Sequence, residues 1–335
     1  MFEYFDAPAT QAFTHSDIQA IIQKSLSDIF ELEKYKSLDF YARQIVEGFL
    51  IGLHRSPFHG FSVEFAEHRQ YTVGESTRNI DWKLYGRTNK LFLKRFEEET
   101  NLRCQLVIDH SRSMLLPVER HGDMVHPNKL TFACCAAAVL SELLLKQRDA
   151  FGLTLLGDGI DLQTDCHSSR AHQKYLLEIL DKELRTTPQA SETPTSTHIA
   201  DALHLTAEQL HKRSLVVIFT DALVEPDDHD PMLDALRHLR HCKHEVVLFH
   251  TLHHGQEIDF DYPNRPTEFV DLESGRRLKL LPSEVAEKYR EQMIRQTADI
   301  KQHAIQYRID YQPIDIQNGF DQVMLPFLLK RSKHM

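Results

Sequence analysis

Cysteine is scarce in this sequence and follows no pattern. The five cysteines (Cys104, Cys134, Cys135, Cys166 and Cys242) make no C-x-x-C pair and no even framework. This argues against a disulfide scaffold and leaves reduced, buried thiols of a cytosolic protein as the simplest reading. Long apolar runs are missing too: the longest, Phe132 to Leu140, falls far short of the ~20 residues a membrane span needs. Met1-Phe2-Glu3-Tyr4-Phe5-Asp6 supplies neither the basic nor the apolar segment of a signal peptide. There is no G-x-x-x-x-G-K-[ST], so the chain carries no ATPase site of that kind. Positive charge is in deficit, with 39 Lys and Arg against 49 Asp and Glu and a formal charge of −10. That balance argues against non-specific nucleic-acid binding by the molecule as a whole. The expectation is a soluble, cytoplasmic protein that does not enter a membrane.

What is present is ordinary in bulk and specific in one place. With 335 residues, 41% of them apolar and 26% charged, the chain can bury a large core as one domain with an appendage, or as two domains. Its centre is Leu106-Val107-Ile108-Asp109-His110-Ser111-Arg112-Ser113-Met114. The apolar run reads as a buried, parallel strand. Asp109, Ser111 and Ser113 follow its carboxyl end, and in extended backbone such alternate side chains point the same way. A carboxylate and two hydroxyls are hard oxygen ligands suited to Mg²⁺. Turn chemistry alone also explains Asp and Ser at a strand end.

In chain order, residues 1–47 read as an acidic helical lead. One helical pattern starts behind Asp17. A second, through Leu38, Tyr41, Ala42, Ile45, Val46 and Phe49, ends near Gly48 to Gly52. Residues 48–101 read as a β-rich layer packed on the next domain, with strands at Phe61 to Phe65 and Leu91 to Leu93. There Arg69, Arg78, Lys83, Arg87, Lys90, Lys94 and Arg95 outnumber Glu75 and Asp81, with Tyr71, Trp82 and Tyr85 interleaved. Such a patch can meet nucleic acid. The plainer reading pairs it with Glu97, Glu98, Glu99 and Asp81.

Residues 102–335 alternate strands and helices. Strands are expected at Cys104 to Ile108, Ala150 to Leu156, Leu215 to Phe219, Glu245 to Phe249 and Gln306 to Tyr311. A short edge pair is expected at Glu268 to Val270 and Arg277 to Leu280. Helices fall at Thr131 to Leu145, capped by Asn128, and at Lys174 to Leu184, Thr197 to Lys212, Pro231 to His241, Ser283 to His303 and Val323 to Lys330. The pattern predicts an α/β fold, a doubly wound, mostly parallel, Rossmann-like sheet with helices on both faces. Sites in such sheets form outside the carboxyl ends of the strands, at the switch point. Asp109 and Asp221 each follow a buried strand, and Thr197 opens a helix between them.

Asp109-x-Ser111-x-Ser113, Thr197 and Asp221 resemble the metal-ion-dependent adhesion site of von Willebrand factor A domains. The upstream block resembles one bacterial family, the domain of unknown function fifty-eight. It comprises Arg55-Ser56-Pro57-Phe58-His59-Gly60, Glu64-Phe65, Arg69 to Glu75, Arg78-Asn79-Ile80-Asp81-Trp82-Lys83, Arg87-Thr88 and Lys94 to Glu99. The resemblance runs from about Gly48 to the C-terminus. It implies a von Willebrand factor A-like domain binding Mg²⁺ or Mn²⁺ through Asp109, Ser111, Ser113, Thr197 and Asp221. A partner's acidic residue would complete the coordination. It also implies work beside a MoxR-type AAA+ ATPase in chaperone-like maturation of a client protein, with no catalysis. Two residues depart from the pattern: His110, where small or apolar residues are usual, and His198, where an acidic one is frequent.

Two other readings stay open beside a binding module. One is a metal-dependent hydrolase on the same crest with His110 or His198 as base. The other is a nucleic-acid binder through Arg69 to Arg95. Among the 21 histidines, His238, His241 and His244 with Cys242 suggest zinc, against an exposed helix end. Cys166 with His167 suggests a nucleophile and base, but adjacent side chains rarely face each other.

Overall fold

A computed structural model describes residues 37–54, 68–70, 85–87, 92–94, 102–186, 199–223, 229–272, 275–318, 320, 323–324 and 326–328. Helix α1 spans Leu38–His54. Its apolar residues recur at helical spacing, and Leu38, Tyr41, Ala42, Ile45, Val46 and Phe49 are all buried. The helix runs through the boundary expected at residue 47. Strands β1 (His68–Gln70) and β2 (Phe92–Lys94) pair antiparallel. The expected strand at Phe61 to Phe65 and the expected helix behind Asp17 lie outside the described residues.

From Leu102 the chain builds one mixed α/β layer structure. Strand β3 (Arg103–Asp109) is followed by helix α2 (Lys129–Lys146), strand β4 (Ala150–Leu156), a short β5 (Ile160–Gln163) and helix α3 (Arg170–Arg185). Then come α4 (Ile199–Gln209), β6 (Leu215–Thr220), α5 (His229–His241) and β7 (Glu245–Leu252). The hairpin β8 (Thr267–Val270) and β9 (Arg277–Leu280), helix α6 (Pro282–Gln306) and strand β10 (Asp310–Asp315) complete it. Six strands form the main sheet in the order β10-β7-β6-β3-β4-β5. All neighbours in it are parallel except β4 and β5.

The strands are apolar on both sides because both faces are covered. Leu106, Ile108, Leu215, Val217 and Phe219 face one core, shared with α1, α2, α3 and the C-terminal Phe320, Met324 and Phe327. The alternate residues Val107, Val216 and Ile218 face the other core, with α4, α5 and α6. Helix α2 begins where Asn128 Oδ1 accepts the Thr131 N–H at 2.8 Å, a side-chain cap of an otherwise orphan donor. It lies between β3 and α1, so nearly its whole circumference is apolar.

Two expectations are corrected. The last strand, expected at Gln306 to Tyr311, is β10 at Asp310–Asp315, because α6 runs on to Gln306. Ile300 and Ala304 stay buried at helical spacing there, and the reversal comes only at Arg308, with φ 58°. Strand β5 was not anticipated: four residues, partly exposed at the sheet edge, give too short a pattern to read. Among the described residues no helix is long and apolar enough to cross a membrane.

Candidate functional site

The chain adds strands outward from β3 to β4 and β5, then returns to lay β6 on the other side of β3. The crevice between two such halves is the switch point of an open α/β sheet. Ile108 is level with Phe219, so Asp109 and Thr220 arrive together at its rim. The Thr220 hydroxyl donates to Asp109 Oδ2 at 2.7 Å, and the Ser111 N–H donates to Oδ1 at 3.0 Å. Asp109 is 3% exposed. Burial, then repulsion from Asp221, lifts its pKa from 3.8 to about 6 against the pull of those hydrogen bonds.

The two serines meet, but not by extended alternation. The strand stops at Asp109, and a 3-10 turn over Arg112–Leu115 begins behind Ser111, anchored by buried Met114 and Leu115. That turn brings the Ser111 and Ser113 hydroxyls to 3.1 Å from each other. The Asp109 carboxylate receiving the Ser111 N–H is what bends the chain, a short-range turn typical of Asp.

Asp221, just beyond β6, faces a partner that sequence reasoning missed. Lys129, the first residue of α2, is fully buried, with Nζ 2.6 Å from Asp221 Oδ2 and 2.5 Å from Glu257 Oε1. Burial alone would lower the Lys129 pKa, but Asp221 and Glu257 outweigh it and hold the ammonium above the ordinary lysine value. Glu257 sits in a π-helical turn (His254–Ile258) after β7 and accepts the His253 N–H at 2.7 Å. Its own pKa is raised, by burial first and also by Asp221, against the attraction of Lys129. Asp221 Oδ1 accepts the Leu223 N–H at 3.1 Å. The Asp221 carbonyl accepts from His250 Nε2 at 2.9 Å, and His250 Nδ1 lies 2.7 Å from the Tyr311 hydroxyl. Burial drives the His250 pKa down to about 4. The ring is therefore neutral with its proton on Nε2, and it accepts from Tyr311. Ala222, next in the chain, has φ 51°, a strained value for a residue with a side chain.

His110 turns away from the crevice. Its Nε2 is 2.7 Å from Asp161 Oδ2, and its Nδ1 is 3.3 Å from Glu183 Oε2. Burial opposes the charge, but the two carboxylates win and raise its pKa. Both ring nitrogens are therefore engaged by carboxylates on the side away from Asp109. Thr197 and His198 lie outside the described residues. So do Trp82 and most of the Arg69 to Arg95 patch, of which Tyr85 to Arg87 are exposed. The histidines considered for zinc face other partners: His238 meets His204 at 2.9 Å, and His244 meets the Ala207 carbonyl at 3.3 Å. The Cys166 thiol donates to the Cys104 carbonyl and to Gln105, and burial pushes its pKa up to about 11. It is a packed thiol, not a thiolate.

Among the described residues no three His, Cys, Asp or Glu side chains form a metal-holding group, so any cation here would depend on hydroxyls. Adjacent ligands on an octahedral Mg²⁺ lie about 3 Å apart, given bonds of about 2.1 Å. Ser111 and Ser113 share a hydrogen bond of 3.1 Å, a separation that is also close to that edge, and Asp109 adds a charge beside them. The donor types of that half of the crest, one carboxylate and two hydroxyls, are those a hard cation takes. Asp221 fits less well, because its charge is already met by Lys129.

The sequence model of one family matches residues 67–303. The chain belongs to the proteins of unknown function DUF58. This DUF58 chain is 24% identical over 188 residues to uncharacterized proteins of Mycobacterium bovis and Mycobacterium tuberculosis. The match covers 56% of this chain and 56% of each of theirs, so the chain spans about half the length of the curated relatives it matches. Among solved structures it is similar to the conserved hypothetical protein BatB from Bacteroides thetaiotaomicron. The TM-score is 0.43 at 15% identity, covering 69% of this chain and 99% of that one. It is also similar to an aerotolerance-related membrane protein from Bacteroides fragilis. There the TM-score is 0.42 at 16% identity, covering 67% and 97%.

Proposed function

We propose that this DUF58 chain is a binding module without catalysis of its own, presenting Mg²⁺ or Mn²⁺ at the β3–β6 crest to an acidic side chain of a partner protein. The observation that carries this reading is the pair of Ser111 and Ser113 hydroxyls, 3.1 Å apart beside buried Asp109 at the switch point. When bound, the ion supplies an electrophilic position that favours an incoming carboxylate. Asp109, Ser111 and Ser113 would hold it, with Thr197 as a further hydroxyl and Asp221 acting through water. The strand order, with β5 antiparallel at one edge, supports reading residues 102–335 as a von Willebrand factor A-like domain; residues 48–101 we read, from the sequence, as a layer upon it. The partner we infer from the family resemblance is a MoxR-type AAA+ ATPase, acting with this chain in the cytoplasm on a client protein.

Melting the protein across a millimolar Mg²⁺ titration tests the cation, and pulldown with Mg²⁺ or EDTA tests the partner. Binding to the native state alone stabilises by RT ln(1 + [L]/Kd), about 2.7 kcal/mol at a hundredfold excess over Kd. Wild type should melt higher with Mg²⁺ and capture the ATPase only without EDTA, while Ser111→Ala should weaken both. A flat titration together with EDTA-insensitive capture would remove the cation from the function.

A further inference from the structure

Three carboxyl groups and one ammonium are enclosed at the crest, and the ammonium is not shared evenly. Lys129 touches Asp221 and Glu257, whereas Asp109 takes its hydrogen bonds from the Ser111 N–H and the Thr220 hydroxyl. The position of Lys129 is fixed. Its own N–H donates to the Leu116 carbonyl at 3.2 Å, and the Asn128 cap holds the turn that carries it. It is also an unfavourable position for a cation in itself. The first turn of a long helix carries positive partial charge, and the side chain is wholly removed from water. The two carboxylates it meets are what offset those costs.

We propose that Lys129 sets the divalent-cation affinity of the crest. It is a tethered cation that claims Asp221 for itself and leaves an incoming ion to Asp109 and the serine hydroxyls. The inference rests on the divalent reading above and names the residue that tunes it. A carboxylate with an ammonium at 2.6 Å is a poor second ligand, because an ion drawn towards it is repelled by that same ammonium. The crest alone therefore binds a divalent ion weakly. A partner's carboxylate brings the negative charge that Asp221 withholds, so the ion is held more tightly in the complex than by the chain alone. Glu257 completes the device: it keeps Lys129 enclosed and charged from the side of the π-helical turn.

The test uses Mn²⁺ alone, titrated into the full chain and read by the loss of its free-ion paramagnetic resonance signal. Wild type is compared with Lys129→Met and with Lys129→Met/Glu257→Gln, each also melted by circular dichroism. The double variant removes one charge of each sign, so it buries no more net charge than wild type. Both variants should bind Mn²⁺ more tightly, by about tenfold or more, since Asp221 is released to the ion. Folded variants that match wild type or bind more weakly overturn this inference and leave the proposed function standing. If Lys129→Met does not melt cooperatively, the double variant decides, and a double variant that also fails to fold overturns it. Binding by the double variant with none by wild type supports the role of Lys129 while removing the bare ion from the proposed function. No binding by any of the three overturns both.

Discussion

Helix α1 offers a controlled comparison, since it carries two phenylalanines on opposite faces. Phe49 is 1% exposed and belongs to the core shared with α2, whereas Phe40 is 53% exposed. Both substitutions to alanine remove the same ring from the same helix, so propensity and unfolded-state effects nearly cancel. At Phe49 the loss includes the transfer of the ring from water and the cavity left behind, together about 3–5 kcal/mol. The cavity is hard to close, because Tyr41 on the same face is already pinned edge-on to Phe320 at 5.6 Å, and Phe320 leans on Phe132 at 5.3 Å. At Phe40 the ring is half in water already, and its removal should cost no more than about 1 kcal/mol. Urea melts followed by circular dichroism measure the difference directly. Phe49→Ala should lose a large share of a total stability of about 5–15 kcal/mol, with Phe40→Ala near wild type. Equal costs for the two, or less than about 1 kcal/mol for Phe49→Ala, would refute the docking of α1 on the sheet domain.

Asp109→Asn keeps the acceptor for the Ser111 N–H and removes a charge whose pKa is raised from 3.8 to about 6. A carboxyl with a raised folded pKa is favoured protonated, so the native state is penalised once the pH rises above about 4, fully so above about 6. The shift of about 2 units corresponds to at most about 3 kcal/mol. In EDTA at pH 7.5 the variant should therefore be more stable than wild type, the gap closing by pH 4, and it should not respond to Mg²⁺. A folded variant that is less stable at pH 7.5 would show that the bonds from Ser111 and Thr220 outweigh the enclosed charge. A fragment starting at Leu102 lacks α1 and uncovers the outer face of α2, so it should be insoluble or lack a cooperative melt. A soluble fragment with a sharp transition would show that the sheet domain folds without α1.

The sheet was legible because its strands are enclosed on both faces. Leu215-Val216-Val217-Ile218-Phe219 admits no polar side, which suits a parallel strand covered on both faces. Helix α1 was legible for the converse reason, a single apolar stripe from Leu38 to Phe49. Where burial is partial the pattern fades. Strand β5 has no fully buried residue, and the end of α6 was set too early because Glu, Gln and Lys dominate its exposed face. Strand order depends on contacts far apart in sequence. The adjacency of β3 and β6, which makes the crevice, could not be read from either strand alone.

The candidate site divides along the same line. Asp109, Ser111 and Ser113 are neighbours in sequence, so a local motif announces them, although the turn that joins the hydroxyls is 3-10 and not extended. Lys129, Asp221 and Glu257 come from a helix start, a strand end and a π-helical turn, and no local pattern links them. One signal was present. In Asn128-Lys129-Leu130-Thr131-Phe132 a lysine opens an otherwise apolar helix, at the end where the helix field favours acidic residues. A long apolar helix that is enclosed on all sides has no water to offer its first side chain. A cation placed there requires carboxylates supplied by other elements, and the carboxylate that follows the neighbouring central strand is the natural candidate. Asp221 therefore counts first as the counter-charge of Lys129, and that pairing is what sets it apart from Asp109, Ser111 and Ser113.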